Sequence, residues 1–330
     1  AVRIYRSGGL RLVKPSPQRI RTVVGWTCTS LGWLIIGLCL LGWIANDRWW
    51  WSQWLSWIPV LAFVLVGILM WSGRHIRRTP GVSNWSGVGW VIAGLVFSAV
   101  DHLLLGGYWF SGPPPTAETV RILQWNAGPT PSNVTPFASF IVQTDADITV
   151  VEGARRTTSD PLFQTWAEDK SLAMRGQFLF ASKLPITRLQ TVAWTHDILL
   201  IELSVKQRNG QSLDLLIVDL PSDPNRSRNT IIKEVAQVRS RLHREPHIAI
   251  GDFNLTQYSW QLERVLPGFF PMWRDAGLGW NGTWPRRLPI YRLDHVLSKR
   301  PTRVHLITTT DPGCGRHRAQ VIDIRAVTTD

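Results

Sequence analysis

Thiols are scarce in this chain, with three cysteines in 330 residues. Cys28 and Cys39 fall in the first apolar run and Cys314 stands alone in the C-terminal part, so no disulfide framework is implied. Internal repeats and low-complexity stretches are missing apart from the run Pro113-Pro114-Pro115, which excludes a repeat array. The C-terminal two thirds lack a strict alternation of strands and helices, which argues against a doubly wound sheet. Ionisable residues are almost absent from the apolar runs between residues 22 and 110. The single pair Asp101-His102 is little from which to build a transport or proton-relay pathway, and a packing or interfacial contact is its plainer role.

Acidic charge is likewise absent where basic charge collects. Residues 1–111 hold ten Lys/Arg against Asp47 and Asp101 alone, whereas the remainder holds 26 basic and 21 acidic residues. Of the net charge of +13, +8 therefore flanks apolar segments, where lipid headgroups are the expected partner. The C-terminal part, near +5, has no strong basic stripe, so its charge does not demand long duplex DNA.

Three uncharged stretches fill the N-terminal third. Thr22–Ala45 is long enough to cross ~30 Å of hydrocarbon, Trp49–Trp71 follows with Pro59 early in it, and Thr79–Val100 runs on toward Phe110. Trp43, Trp49, Trp50, Trp51, Trp54, Trp57, Trp71 and Trp90 sit in or beside these runs, as expected of interfacial anchors. A cleaved signal peptide fits poorly, because the first run is long and two more follow. Six Lys/Arg precede the first helix, and Arg74, Arg77 and Arg78 lie in the second loop. Basic ends stay in the cytoplasm, so the expectation is an integral membrane protein with a cytoplasmic N-terminus and an extracytoplasmic C-terminal domain. The expected divisions are a basic N-terminus (1–21), three transmembrane helices (22–110), a stiff Pro-rich spacer (111–119) and a large domain (120–330).

From Val120 the pattern changes to short apolar runs. Val120–Trp125, Ile148–Val151, Phe178–Ala181, Ile198–Val205, Leu213–Asp219, His247–Gly251 and Leu293–Ser298 predict strands. Pro136–Gln143, Pro161–Asp169, Asn225–His243 and Ser259–Leu266 predict helices. The expected class is α+β, a sheet core flanked by helices. Polar residues cluster at the strand ends: Asn126 after RILQW, Glu152 after ITVV, Asp252 and Asn254 after HIAI, then Asp294, and His317 before the last strand. Singly, each is a common cap or turn former. As an ordered set, oxygen ligands with one imidazole suit a hard cation such as Mg²⁺ or Mn²⁺.

The series Trp125-Asn126, Val150 to Gly153 (VVEG), Ser182 to Ile186 (SKLPI), GDFN, Gly282 to Pro285 (GTWP), RLDHVL and GRHR resembles the endonuclease/exonuclease/phosphatase superfamily over about Arg121 to Ile324. That group includes deoxyribonucleases, abasic-site endonucleases, sphingomyelinases and inositol-phosphate phosphatases. The layout of helices followed by this domain is similar to membrane-anchored bacterial members. The resemblance implies a four-layer α/β/β/α sandwich and a Mg²⁺- or Mn²⁺-dependent phosphoesterase. It makes Glu152 the main metal ligand with Asn126 beside it, while Asp252 and Asn254 orient the attacking water and hold phosphate. Asp294 supports His317 as base or phosphate ligand, and Trp284 borders the cleft or packs in the core.

Two positions depart from the family pattern. Val218-Asp219-Leu220-Pro221-Ser222 has no His where many members carry Thr-His, so Arg226 or Arg228 is expected to replace a phosphate contact. Gly315-Arg316-His317 stands where Ser-Asp-His is usual. Arg316 is expected to keep His317 neutral by lowering its pKa and to donate to a phosphate oxygen. The expected substrate is a phosphodiester or phosphomonoester in a nucleic acid, a nucleotide or a phospholipid headgroup. The competing expectation is a degenerate domain that binds phosphorylated ligands or a partner without turnover.

Overall fold

The computed structural model describes residues 16–77, 85–104, 106–116, 118–129, 132–195, 198–299 and 304–325. Arg3, Arg6, Arg11, Lys14, Arg78 and the start of the third apolar stretch lie outside the described residues. The chain forms two compact units, one of Ala1–Ile44 with Ile58–Ala99 and one of Ala45–Trp57 with Val100–Asp330.

The first unit is helical. Helix α1 (Pro17–Ala45, 29 residues) is the only described helix long and apolar enough to cross a membrane, and it has the length and composition of an anchor or a signal. The second apolar stretch does not form one long helix. A single turn, α2 (Gln53–Ser56), belongs to the other unit, and α3 (Ala62–Arg77, 16 residues) starts only after Pro59, whose carbonyl accepts from Ala62 N at 2.8 Å. Helix α4 (Trp85–Ala99) has 15 residues. The expected three spanning helices thus reduce to one of sufficient length, because the apolarity of residues 49–57 comes from tryptophans in a loop. Ile36, Cys39, Phe63, Val66 and Met70 form this unit's small core.

The second unit is built on two sheets. Its strands are β1 (Thr119–Asn126), β2 (Ile148–Glu152), β3 (Ser171–Arg175), β4 (Phe178–Ser182), β5 (Ile186–Thr195), β6 (Ile198–Lys206), β7 (Ser212–Asp219), β8 (Ile248–Asp252), β9 (Phe270–Pro271), β10 (Gly277–Leu278), β11 (Asp294–Ser298), β12 (Val304–Thr310) and β13 (Ala319–Arg325). One sheet runs β10-β12-β13-β1-β2-β4-β3 and the other β5-β6-β7-β8-β11-β9.

The period of two along each strand assigns the layers. Ile122, Ile148, Val150 and Phe180 of the first sheet meet Ile201, Leu215, Ile217, Ile248 and Ile250 of the second in the central core. The alternate positions face outward. On the first sheet, Leu123, Trp125 and Val151 pack against Phe137, Ile141 and Phe163 of α5 (Thr135–Thr144) and α6 (Pro161–Ala167). On the second, Leu200, Leu216 and Ala249 pack against Ile231, Ile232 and Val235 of α7 (Arg228–Arg239). Two packed sheets flanked by helices result, an α+β sandwich. Each of these fully buried aliphatic side chains contributes about 1.5–3 kcal/mol.

Candidate active site

The inward face of the sandwich turns polar at one end, and the same period of two brings this about. Ile122-x-Gln124-x-Asn126 on β1, Ile148-x-Val150-x-Glu152 on β2, Leu215-x-Ile217-x-Asp219 on β7 and Ile248-x-Ile250-x-Asp252 on β8 each place apolar groups in the core and a polar group at the tip. Register then joins the tips. Asn126 pairs with Glu152, Asp219 with Asp252, and Asp252 with Asp294 at the start of β11. Two glycines permit the close approach behind them. A Cβ at Gly153, at φ +78°, would lie 1.9 Å from the Gly128 carbonyl oxygen, and one at Gly251, at φ +143°, would lie 1.9 Å from that of Val218.

The buried part of the site is a connected network. His317 Nδ1–H donates to Asp294 Oδ2 at 2.8 Å, and its Nε2 lies 3.9 Å from Asp252 Oδ2. Asn126 Nδ2 donates to the same Asp252 oxygen at 2.9 Å, while Asn126 Oδ1 accepts from Gly128 N. Gln124 Nε2 donates to Asp294 Oδ1 at 3.1 Å. Gln320 donates to Gln124, and the buried Arg292 guanidinium donates to Gln320 at 2.6 Å. Asn254, at φ +49°, gives its amide nitrogen to the Leu220 carbonyl at 2.7 Å and its backbone N–H to Asp252 Oδ1 at 2.9 Å. These bonds fix Asp252 and His317 against rotation. His295, beside Asp294, serves the core: burial drives its pKa down to about 3, and its Nε2 bonds the Leu255 carbonyl at 2.8 Å.

The half-buried mouth of the site holds two more carboxylates. Glu152 Oε1 and Asp219 Oδ2 share one amide donor, Gln177 Nε2, at 2.6 and 3.4 Å. Burial and then the charges of Asp219, Asp252 and Asp294 push Glu152 up to about 10. Burial and then Asp252 raise Asp219 to about 8, and burial and then Asp294 raise Asp252 to about 7. Burial also works against ionised Asp294, but its ion pair and hydrogen bond with His317 win and lower its pKa. The sequence-based expectation for His317 fails. Burial does disfavour the imidazolium, yet Asp294, Asp252 and Asp219 outweigh it and raise the pKa to about 9. Three carboxylates around the ring dominate over one exposed arginine beside it.

The cleft over this network has a volume of about 450 Å³. Asn126, Glu152, Asp219, Asp252, Asn254, Trp284, Arg316 and His317 all line it, together with Trp57. It continues past Glu152, Gln177 and Asp219 into a groove of about 950 Å³ bounded by Arg155, Met174 and Trp194. Two expected contributors are not brought in. Arg226 pairs with Glu234, and Arg228 is buried with its guanidinium on the Pro221 carbonyl at 2.6 Å. Arg228 thus shapes the Leu220–Ser222 wall from behind, because helix α7 carries its side chain toward the core. Asp219, Gln177 and Trp57 were not anticipated as site residues. Asp219 sits at the same parity after LDLLIV as Glu152 does after ITVV, a signal that a search for histidine at this position overlooks.

The donor set suits a hard divalent cation. Four carboxylates converge, the raised pKa values of three of them, Glu152, Asp219 and Asp252, register burial and then uncompensated negative charge, and the neutral donors are amides. Asp252, Asp294 and His317 offer ligand atoms within 4.8 Å of one another. The His317–Asp294 bond spends one ring nitrogen, so that trio fits an oriented imidazole better than a metal cage, and Glu152 with Asp219 offers the freer oxygens.

Solved structures of other proteins are similar to this chain. An endonuclease/exonuclease/phosphatase family protein from Bacteroides thetaiotaomicron is similar at 14% identity and a TM-score of 0.51, over 66% of this chain and 100% of that one. Truncated TDP2 of Caenorhabditis elegans is similar at 16% identity and a TM-score of 0.48, over 64% and 100% of the two chains. An AP endonuclease from Archaeoglobus fulgidus gives 11% identity and a TM-score of 0.47, over 63% and 100%. No curated protein matches. A model of the endonuclease/exonuclease/phosphatase family matches residues 123–316, more than half of the sequence, and the chain belongs to that family.

Proposed function

We propose that the second unit hydrolyses a phosphoester with the help of a divalent cation, at a membrane and outside the cytoplasm. Members of this family are phosphoester hydrolases that generally use divalent metal ions. The observation that carries the reading is the convergence of Glu152, Asp219, Asp252, Asn254 and His317 on one cleft, with Asp294 fixed behind the imidazole. Mg²⁺ or Mn²⁺ held by Glu152 and Asp219, with the second lone pair of Asn126 Oδ1 within the same strand-tip cluster, would neutralise charge developing on the phosphoryl oxygens.

The protein's own groups divide the remaining work. Asp252, immobilised by Asn126 Nδ2 and Asn254 N, orients a water and accepts its proton. His317, held by Asp294 and raised to about 9, enters as an imidazolium that binds a phosphoryl oxygen and can give a proton to the leaving alkoxide. Arg316 lies exposed on the rim, where a guanidinium can take a further phosphate oxygen. Trp284, half-buried on the same rim, is placed to touch the substrate's organic part.

The test uses the full chain with Mg²⁺ or Mn²⁺ and bis(p-nitrophenyl) phosphate, comparing wild type with Glu152→Gln and His317→Ala. Each variant is expected to lose about 100-fold or more in turnover, the scale of removing one charge-stabilising group. Phosphate-analogue binding without turnover in the wild type would instead support the ligand-binding alternative.

A further inference from the structure

The cleft has a wall that comes from outside the family domain. Residues 45–57 connect two apolar helices in the sequence, yet they belong to the compact unit that carries the cleft. Their attachment is polar and specific. Asn46 Nδ2 donates to the Tyr258 carbonyl at 2.8 Å, and Asn46 Oδ1 accepts from Trp260 N at 3.1 Å. Ser259 donates to Asp47. Buried Gln53 donates to the Pro224 and Arg226 carbonyls and accepts from Arg228 N at 3.2 Å. The loop ends in the cleft itself, where the Trp57 carbonyl accepts from Tyr291 Oη at 2.7 Å and its ring lies 5.3 Å from that of Tyr291. Tyr291 in turn meets Trp284, at 5.8 Å between rings, and Trp57 and Trp284, one on each side of it, line the cleft with the carboxylates.

The other side of this loop is exposed and apolar. Trp49, Trp50, Trp51 and Trp54 keep 50, 66, 43 and 48% of their surface accessible, which is costly for the largest apolar side chains unless something amphipathic covers them. Covalent continuity names the occupant. Ala45, the first residue of the stretch, ends an apolar segment of spanning length, and the residue after Trp57 begins the next apolar segment. A bilayer that receives those segments has its interface at the loop, the depth where tryptophan is preferred. Trp54 and Trp57 are three residues apart, about one helical turn, so the exposed tryptophans and the cleft-lining one are near neighbours. Charge points the same way. Among the described residues Arg316 is the one guanidinium lining the cleft over the carboxylates, with Arg155 farther along the groove, which is little for tracking a polyanion but adequate for a single phosphate.

We infer that residues 46–57 form a lipid-facing rim and that the substrate is a phosphoester whose apolar part remains in the bilayer, with Trp57 contacting it in the cleft. This rests on the hydrolase reading above. The experiment reconstitutes the full chain in phosphatidylcholine vesicles with Mg²⁺ and compares two esters sharing one leaving group. These are the p-nitrophenyl ester of phosphatidic acid in the vesicles and bis(p-nitrophenyl) phosphate in water. Replacing Trp49, Trp50, Trp51 and Trp54 together by Ser is expected to lower the ratio of vesicle to soluble turnover about tenfold or more, and Trp57→Ala to raise KM for the lipid ester by a similar factor, with Trp57→Phe restoring most of it. An unchanged ratio overturns the inference, as does faster cleavage of a single-stranded oligonucleotide that Trp57→Ala slows, which would assign the aromatic wall to nucleobases. Absence of turnover on both esters instead sinks the hydrolase reading. Quenching by brominated phosphatidylcholine then still decides the rim: wild-type fluorescence must be quenched more than that of the four-Ser protein, and equal quenching overturns it.

Discussion

At the residue scale, the site is a balance of like charges, and pH exposes it. Glu152, Asp219 and Asp252 are raised from ordinary values of 4.5, 3.8 and 3.8 to about 10, 8 and 7, so the fold pays for their ionisation as pH climbs through that range. His317 is raised from 6.5 to about 9, so its stabilising pair with Asp294 is complete below 6.5 and is lost as pH rises through 9. Both trends have the same sign between pH 6.5 and 8. The melting temperature of the cation-free protein is expected to fall across that window, and millimolar Mg²⁺ to flatten the fall; a cation-free melting temperature that rises with pH contradicts the charge balance. Asp219→Asn is expected to weaken Mg²⁺ binding about 10- to 100-fold by calorimetry, since it removes one of the two freer oxygen ligands. Arg316→Asp should not raise turnover, because Asp219 already supplies the carboxylate that the cleft would gain.

The scattered Asn126, Glu152, Asp252, Asn254, Asp294 and His317 could be read from the sequence because each sits where an apolar strand stops. Asp219 obeys the same rule, but its neighbours Leu220 and Pro221 match no familiar signature and drew attention to an absent histidine. Arg226 and Arg228 misled for a different reason. Nearness in sequence to the cleft wall does not say which way a side chain leaves its helix, and α7 turns Arg228 inward.

At the scale of elements, the strands buried on both faces were legible and the edges were not. β6, β7 and β8 are almost wholly buried and carry continuous apolar runs. β5, with ITRLQTVAWT on a sheet edge, is largely exposed or half-buried, and the edge strand β3 carries a mixed pattern for the same reason, as does β12, which only the two-residue β10 covers on its outer side. Residues 49–57 read in sequence as the start of a membrane helix because hydrophobicity alone cannot separate a span from an aromatic turn. The tight β7–β8 crossing makes a sharp prediction. Gly251→Ala forces a methyl against the Val218 carbonyl and is expected to cost at least about 2–3 kcal/mol in denaturant unfolding, with turnover falling because Asp252 moves. Unchanged stability would mean that the two strands separate easily.

At the scale of the whole molecule, crossing number and orientation can be separated. One crossing by α1 or three crossings both deliver residues after Phe110 to the side opposite the N-terminus, since each is odd. With the basic N-terminal residues held inside, a reporter phosphatase fused after Phe110 is expected to be active only outside the cytoplasm. Activity confined to the cytoplasm would refute that orientation.

The strand tips carry one last implication. Because each reactive group is the final link of a row whose earlier links are aliphatic, chemistry can be exchanged at the tip while the row behind keeps its grip. A different polar group at the position of Asp219 would be such an exchange, made without disturbing Leu215 or Ile217. New specificities in this scaffold should therefore arise by swapping terminal links, whereas a slip of one residue along any row would eject its hydrophobic links and its reactive one together.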